Sequence, residues 1–205
     1  MTVKVEFHFD FGSPNTYYCH RVIPDIEWRT GVMFDYFPIL LGGVFRSTNN
    51  KSPMEAFAGI KNKSEYSALE TKRFIKKHKL SKFKLNPNFP VNTLHIMRGA
   101  ICAIDKEIGK EYIEAIYQGM WEQGLNMADP EIIKSALQAA NLPADELLAG
   151  STQADVKQKL IENTETSVNR GTFGSPTFFV GDEIFFGKDR LREVEEEIAA
   201  QLARS

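Results

Sequence analysis

The sequence predicts an α/β fold ordered as βαβ, a run of helices, and then αββα. Three observations carry that expectation. Apolar and polar residues alternate near both ends of the chain, the strand signal vanishes between Val44 and about Ser151, and Gly-Ser-Pro recurs beside a strand at Gly12-Ser13-Pro14 and Gly174-Ser175-Pro176. The first strand puts Val3, Val5, Phe7 and Phe9 on one face. Asp10 to Pro14 then supplies a turn, an N-cap serine and a proline at the first helical position. Tyr17, Val22 and Trp28 carry a helix to Arg29, which Thr30-Gly31 ends. A second strand spans Val32 to Ile39, so the first forty residues read as a βαβ unit with a parallel pair, closed by Leu40-Leu41-Gly42-Gly43.

Ile101, Ile104, Ile108, Tyr112, Ile116 and Met120 then keep helical spacing, and Asp129-Pro130 and Leu142-Pro143 place prolines where helices start. A helix over Asp155 to Asn169 precedes a hairpin whose strands, Thr177 to Val180 and Ile184 to Phe186, flank Gly181-Asp182. Leu191, Val194, Ile198 and Leu202 form the apolar stripe of a closing helix, with Glu193, Glu195, Glu196 and Glu197 facing outward. This is a thioredoxin-like arrangement. The division expected is residues 1–43 and 152–205 for the thioredoxin-like domain and 44–151 for an all-helical insertion.

A chain of 205 residues with 42% hydrophobic and 25% charged residues is expected to bury a full core, which argues against disorder. The net charge of -2 offers no general field for a polyanion, so no nucleic-acid partner is expected. No stretch is long and apolar enough for a membrane span, no signal-peptide core follows Met1, and Met1 is expected to start the mature chain. Cys19 and Cys102 stand in unlike contexts and are expected to remain free thiols in a cytoplasmic, reducing setting. The basic run Lys72, Arg73, Lys76, Lys77, Lys79, Lys82 and Lys84 reads as a solvated helix face, with an anion-binding surface as the alternative. There is no ligand cluster for a metal, and His8 on a strand and His95 in a helix pattern read as packed or exposed histidines beside a proton-donor role.

In this arrangement the reactive group sits at the start of the first helix, where amide groups and the macrodipole favour an anion. Ser13 holds that position, and Ser13-Pro14-Asn15-Thr16 replaces a Cys-x-x-Cys, which excludes dithiol oxidation. Ser13-Pro14 also reads as a plain N-cap with its proline. Gly174-Ser175-Pro176-Thr177 reads either as a tight turn before an edge strand or as a cis-proline loop whose Ser175 backbone pairs with an extended peptide. Together the two segments describe a site for a peptide thiol, with a cis Ser175-Pro176 bond as its structural expectation.

Several pieces in order carry a resemblance. They are Phe9-Asp10-Phe11-Gly12-Ser13-Pro14, Asn49-Asn50-Lys51, Lys63-Ser64-Glu65-Tyr66, Phe89-Pro90-Val91-Asn92-Thr93 with Met97-Arg98, Gly171 to Phe178, and Phe186-Gly187-Lys188-Asp189-Arg190-Leu191. The chain resembles the family of 2-hydroxychromene-2-carboxylate isomerases and kappa-class glutathione transferases, which have a DsbA-like thioredoxin fold with a helical insertion. The resemblance implies glutathione as cofactor. Ser13 would hydrogen-bond its thiolate, Ser175 beside Pro176 would pair with its cysteinyl backbone, and Asp189 with Lys188 would hold its γ-glutamyl end. Asn50 and Lys63 match further contacts, and Arg190 is either a contact or a solvated helix-start residue. Asn92 and Thr93 are either an N-cap pair or substrate contacts. The activity implied is a glutathione-dependent isomerase acting on a small aromatic substrate. The alternatives are a transferase conjugating electrophiles and a redox-inert protein that binds peptides or thiols, the last favoured by deep burial around Ser13. A homodimer is also implied.

Overall fold

The computed structural model describes residues 3–204; the reading of Met1 as the chain's mature start lies outside them. Strand β1 (Val5–Phe9), helix α1 (Pro14–Thr30) and strand β2 (Phe34–Pro38) form the expected βαβ unit, with β1 and β2 parallel. After the helical segment, α9 (Ala154–Asn169), the hairpin β3 (Thr177–Val180) and β4 (Glu183–Phe186), and α10 (Leu191–Arg204) complete the αββα unit. The sheet order is β2-β1-β3-β4, and β3 runs antiparallel to β1.

The two central strands are buried along their whole length. On one face of β1, Phe7 stacks on Phe178, with ring centroids 5.1 Å apart. Its other face is polar in sequence yet equally buried, because α9 lies across it. Arg170 reaches Glu6 at 2.6 Å, and Ser167 Oγ lies 2.7 Å from His8 Nδ1. His8 is therefore the packed histidine of the two alternatives, and burial pushes its pKa down to about 3.

Trp28 departs from the expected apolar stripe of α1 and is 85% exposed. The buried face of that helix runs through Tyr18, Val22 and Ile26, and a step of six residues from Val22 rotates Trp28 off it. Gly31 ends the helix in the left-handed region, its N–H returning to Glu27 at 2.8 Å. Leu41 to Gly43, expected to close the βαβ unit, are the first turn of α2 (Leu41–Thr48). The first amide there is held by a distant carboxylate that local sequence does not reveal.

The helical segment continues with α3 (Pro53–Ala56), α4 (Lys63–Lys77), α5 (Leu94–Asp105), α6 (Gly109–Gln118), a π-helical turn (Gly119–Gln123), α7 (Pro130–Ala139) and α8 (Ala144–Gly150). The unbroken spacing from Ile101 to Met120 hides a break between α5 and α6, where Glu107 turns at φ 60. The basic run forms the solvated face and following loop of α4, while Phe74 and Phe83 turn inward onto Tyr18.

Gly99 lets α5 and α6 close on each other. A Cβ there would collide with the buried Tyr112 of α6, whose hydroxyl donates to the Ile96 carbonyl at 3.0 Å. Helix propensity alone predicts that Gly99→Ala gains about 1 kcal/mol. Overpacking predicts a loss of about 1–3 kcal/mol, and we expect the loss to win because Tyr112 has no room to yield. Thermal unfolding should fall by roughly 2–4 °C per kcal/mol lost. A midpoint at or above that of the wild type would refute the close approach.

Candidate active site

β1 delivers the chain into the turn Asp10–Ser13, and α1 begins at Pro14. Trp121, in the π-helical turn, donates its ring N–H to the Phe11 carbonyl at 2.8 Å and ties this turn to the helical segment. Ser13 stands at the N-cap with extended backbone, but its hydroxyl does not cap its own helix. It donates instead across the sheet end to the Ser175 carbonyl, at 3.1 Å. That corrects the simple capping reading and leaves the first turn of α1 without a side-chain acceptor at its positive end.

The Ser175-Pro176 bond is cis, as expected, and Phe89-Pro90 is cis as well. Ser175 donates its own hydroxyl to the His8 carbonyl at 3.1 Å, and Asn50 Nδ2 donates to the Phe173 carbonyl at 2.7 Å. Asn50 therefore meets the proline loop directly. Asn92 and Thr93 divide between cap and brace. Asn92 Oδ1 accepts the Leu94 amide at 3.0 Å, as a capping residue does, whereas the Thr93 side chain lies against Gly12 in the Ser13 turn.

Asp10 was not among the residues singled out, and it organises the turn. One carboxylate oxygen accepts the Gly12 amide and the other accepts the Leu41 amide, each at 2.8 Å. Burial raises its pKa, and the two amides, with the nearby Thr93 side chain, oppose the rise. An acidic residue between two phenylalanines was the available signal, since such a side chain must find donors if it is buried.

The remaining expected residues gather elsewhere. Lys188, Asp189 and Arg190 form a 3-10 turn before α10. The Lys188 side chain is 8% exposed and pairs at 2.6 Å with Asp189, whose side chain is 70% exposed. The Lys188 ammonium also lies over the Phe74 ring, at 5.2 Å. Arg190 pairs with Glu193 at 2.8 Å on the surface, the solvated alternative. Lys63 sits over the Phe57 ring at 4.7 Å, and no contact among the described residues joins it to Ser13 or Asn50. Cys19 and Cys102 are free and buried, and burial pushes both thiols up.

Behind Tyr17 lies an ionic cluster that sequence reading missed. Tyr17 donates to Glu122 at 3.1 Å, Arg21 pairs with Glu122 at 2.6 Å and with Glu114 at 2.8 Å, and His20 reaches Glu114 at 2.9 Å. Burial works to raise Glu114, but the bonds from His20 and Arg21 hold it down at about 2. Burial also pushes Tyr17 up to about 12, too high for a proton donor of easy turnover. Among the described residues, no group of three or more His, Cys, Asp and Glu is placed to hold a metal ion, and no helix is long and apolar enough to cross a membrane.

Fold and site together define a thioredoxin-like protein whose first helix opens on a serine opposite a cis-proline loop. The chain belongs to the DsbA-like thioredoxin domain family, whose model matches residues 4–199. It is 27% identical over 191 residues to a 2-hydroxychromene-2-carboxylate isomerase of Sphingobium xenophagum, covering 93% of this chain and 95% of that one. It is 28% identical over 217 residues to glutathione S-transferase kappa 2 of Caenorhabditis elegans, covering 95% and 91%. Among solved structures, a 2-hydroxychromene-2-carboxylate isomerase superposes with a TM-score of 0.81 at 21% identity, over 98% of this chain and 96% of that one. A probable DsbA oxidoreductase of Streptomyces coelicolor reaches 0.72 at 13% identity, over 99% and 91%. The two families of relatives are those that the sequence resemblance named.

Proposed function

We propose that this protein is a glutathione-dependent isomerase resembling 2-hydroxychromene-2-carboxylate isomerase, with a small aromatic compound as substrate. The observation that carries the reading is the Ser13 hydroxyl, set at an uncapped helix start and directed to the carbonyl before the cis-proline. These residues fit the cofactor: a helix start free of a side-chain acceptor suits an anion, and the exposed Asp189 carboxylate suits a free ammonium. Bound glutathione supplies a thiolate that adds reversibly to an unsaturated substrate and is expelled unconsumed. The Ser13 hydroxyl, which donates to the Ser175 carbonyl in the unliganded protein, would hydrogen-bond the sulfur and, with the helix dipole, favour its ionised form. Ser175 offers its backbone to the cysteinyl unit, Asp189 beside Lys188 takes the γ-glutamyl end, and Asn50, Lys63 and Arg190 are proposed as further contacts. A cytoplasmic setting and a homodimer are part of the same proposal, resting on the resemblance to these relatives.

A second reading, a redox-inert thiol-binding protein, is favoured by one observation: Ser13 is only 6% exposed. Incubation with reduced glutathione and 2-hydroxychromene-2-carboxylate decides between the readings. We expect isomer to form while the glutathione titre stays constant. A titre falling mole for mole with substrate replaces the isomerase with a conjugating transferase. Glutathione binding without turnover leaves the binding protein, and absence of binding by calorimetry overturns the glutathione site itself.

A further inference from the structure

A cavity of about 210 Å³ opens between α2, α5 and α9, and none of Ser13, Asn50, Ser175 and Asp189 lines it. Leu40, Leu94, Leu160 and Ile161 form its apolar wall, beside Ser47 and Thr164. Arg98 enters it from α5, and Lys157 and Glu165 stand on its α9 side. The Arg98 Nε is sealed from solvent and has no hydrogen-bond partner, and among the described residues its guanidinium makes no ion pair. Glu165 lines the same cavity but does not satisfy it.

A sealed N–H donor without an acceptor is costly, and it persists where something else supplies the acceptor. The chemistry of that acceptor follows from the walls. A guanidinium matches a planar carboxylate through paired N–H donors. Four aliphatic side chains beside Arg98, with the charges of Lys157 and Glu165 opposed to each other on the α9 side, favour a single negative charge on an apolar body over a hydrated dianion. An apolar cavity of about 150 Å³ holds a benzene ring, so this volume suits one ring, or a branched chain of similar size, with its carboxylate. We infer that this cavity is a binding site for a small monocarboxylate with an apolar body, its carboxylate on Arg98 and its body against Leu94 and Leu160.

The site adjoins the brace of the Ser13 turn without sharing its residues. Leu40 precedes Leu41, whose amide binds Asp10, and Leu94 follows Thr93, which lies against Gly12. The proposal does not depend on glutathione use.

The test is calorimetric titration of the glutathione-free protein with benzoate, with benzyl alcohol and inorganic phosphate as comparison probes. Benzoate should bind, benzyl alcohol should bind about tenfold or more weakly, and phosphate should bind more weakly than benzoate. Arg98→Gln should weaken benzoate by about tenfold or more, with the melting temperature unchanged or raised because an unpaired cation is gone. Ile161→Trp, at a half-exposed wall position, should block benzoate by filling the cavity with every charge in place, which keeps the test valid if Arg98→Gln does not fold. Three results would each overturn the site: no benzoate binding to the wild type, unchanged affinity in both variants, or phosphate binding more tightly than benzoate. Equal destabilisation by Arg98→Gln and Glu165→Gln, with no further loss in the double variant, would also overturn it by making Glu165 the partner of Arg98.

Discussion

Ser13→Ala is expected to cut turnover at neutral pH by about tenfold or more while leaving glutathione affinity within about an order of magnitude. A free thiol of pKa about 8.5 is only about 3% thiolate at pH 7. A site that lowers it by about two units raises the ionised fraction to roughly three quarters, through about 2.7 kcal/mol of preferential anion binding. One charge-assisted hydrogen bond of about 1.5–3 kcal/mol, aided by a helix terminus, is large enough. The structure adds the competitor. The Ser13 hydroxyl already has an acceptor in the Ser175 carbonyl at 3.1 Å, so a thiolate must draw it away, and an anion outcompetes a neutral carbonyl. The variant leaves that buried carbonyl without its donor, at a cost of about 1 kcal/mol or more in stability. Titration of thiolate absorbance against pH in wild type and variant checks the mechanism. Coincident curves would reduce Ser13 to a bridge between α1 and the proline loop.

His8→Phe should remove roughly 2–3 kcal/mol of the stability that the wild type loses between pH 7 and pH 4.5. The imidazole is wedged between Phe37 and Phe179, and burial pushes its pKa from 6.5 down to about 3. At pH 4.5 an unfolded histidine is about 99% protonated, whereas the folded one is only about 3% protonated. The unfolded chain therefore binds the extra proton. Stability is complete above about pH 6.5 and drains away as the pH falls toward 3. Glu114 acts in a lower window. Its carboxylate is held at about 2 against 4.5, so its contribution is present above pH 4.5 and is lost as the pH falls toward 2. Urea unfolding midpoints in the two proteins from pH 7 to 4.5 isolate the histidine. The variant should start lower, because Ser167 loses its partner, and then follow a flatter line. Parallel lines would mean that His8 titrates normally in the folded state.

The strands, α1, the hairpin and the closing helix were legible because their signals lie within a few residues of one another. Period-2 apolar spacing, a proline at the first helical position and Gly181-Asp182 between two strands each act through immediate neighbours. The serine at the helix start and the proline loop were legible for the same reason, as turn chemistry beside a strand. Where local spacing misled, a tertiary contact had intervened. The run from Ile101 to Met120 breaks at Glu107 so that Tyr112 can fold back onto Gly99, and Leu41 starts a helix whose first amide is met by Asp10.

By itself the sequence determined the order of elements, the absence of a redox dithiol at the first helix, and the family resemblance that its ordered pieces carry. Only the tertiary structure decided what the polar groups do. It turned the Ser13 hydroxyl from its own helix to Ser175, buried Lys188 beside Asp189, made Asp10 the tie between the Ser13 turn and α2, and joined His20 and Arg21 of α1 to Glu114 of α6. An apolar side chain needs only to be covered, and periodicity shows which face is covered. A buried hydroxyl, amide or charge needs a particular partner at hydrogen-bond distance, and that partner is chosen by how distant segments close on one another.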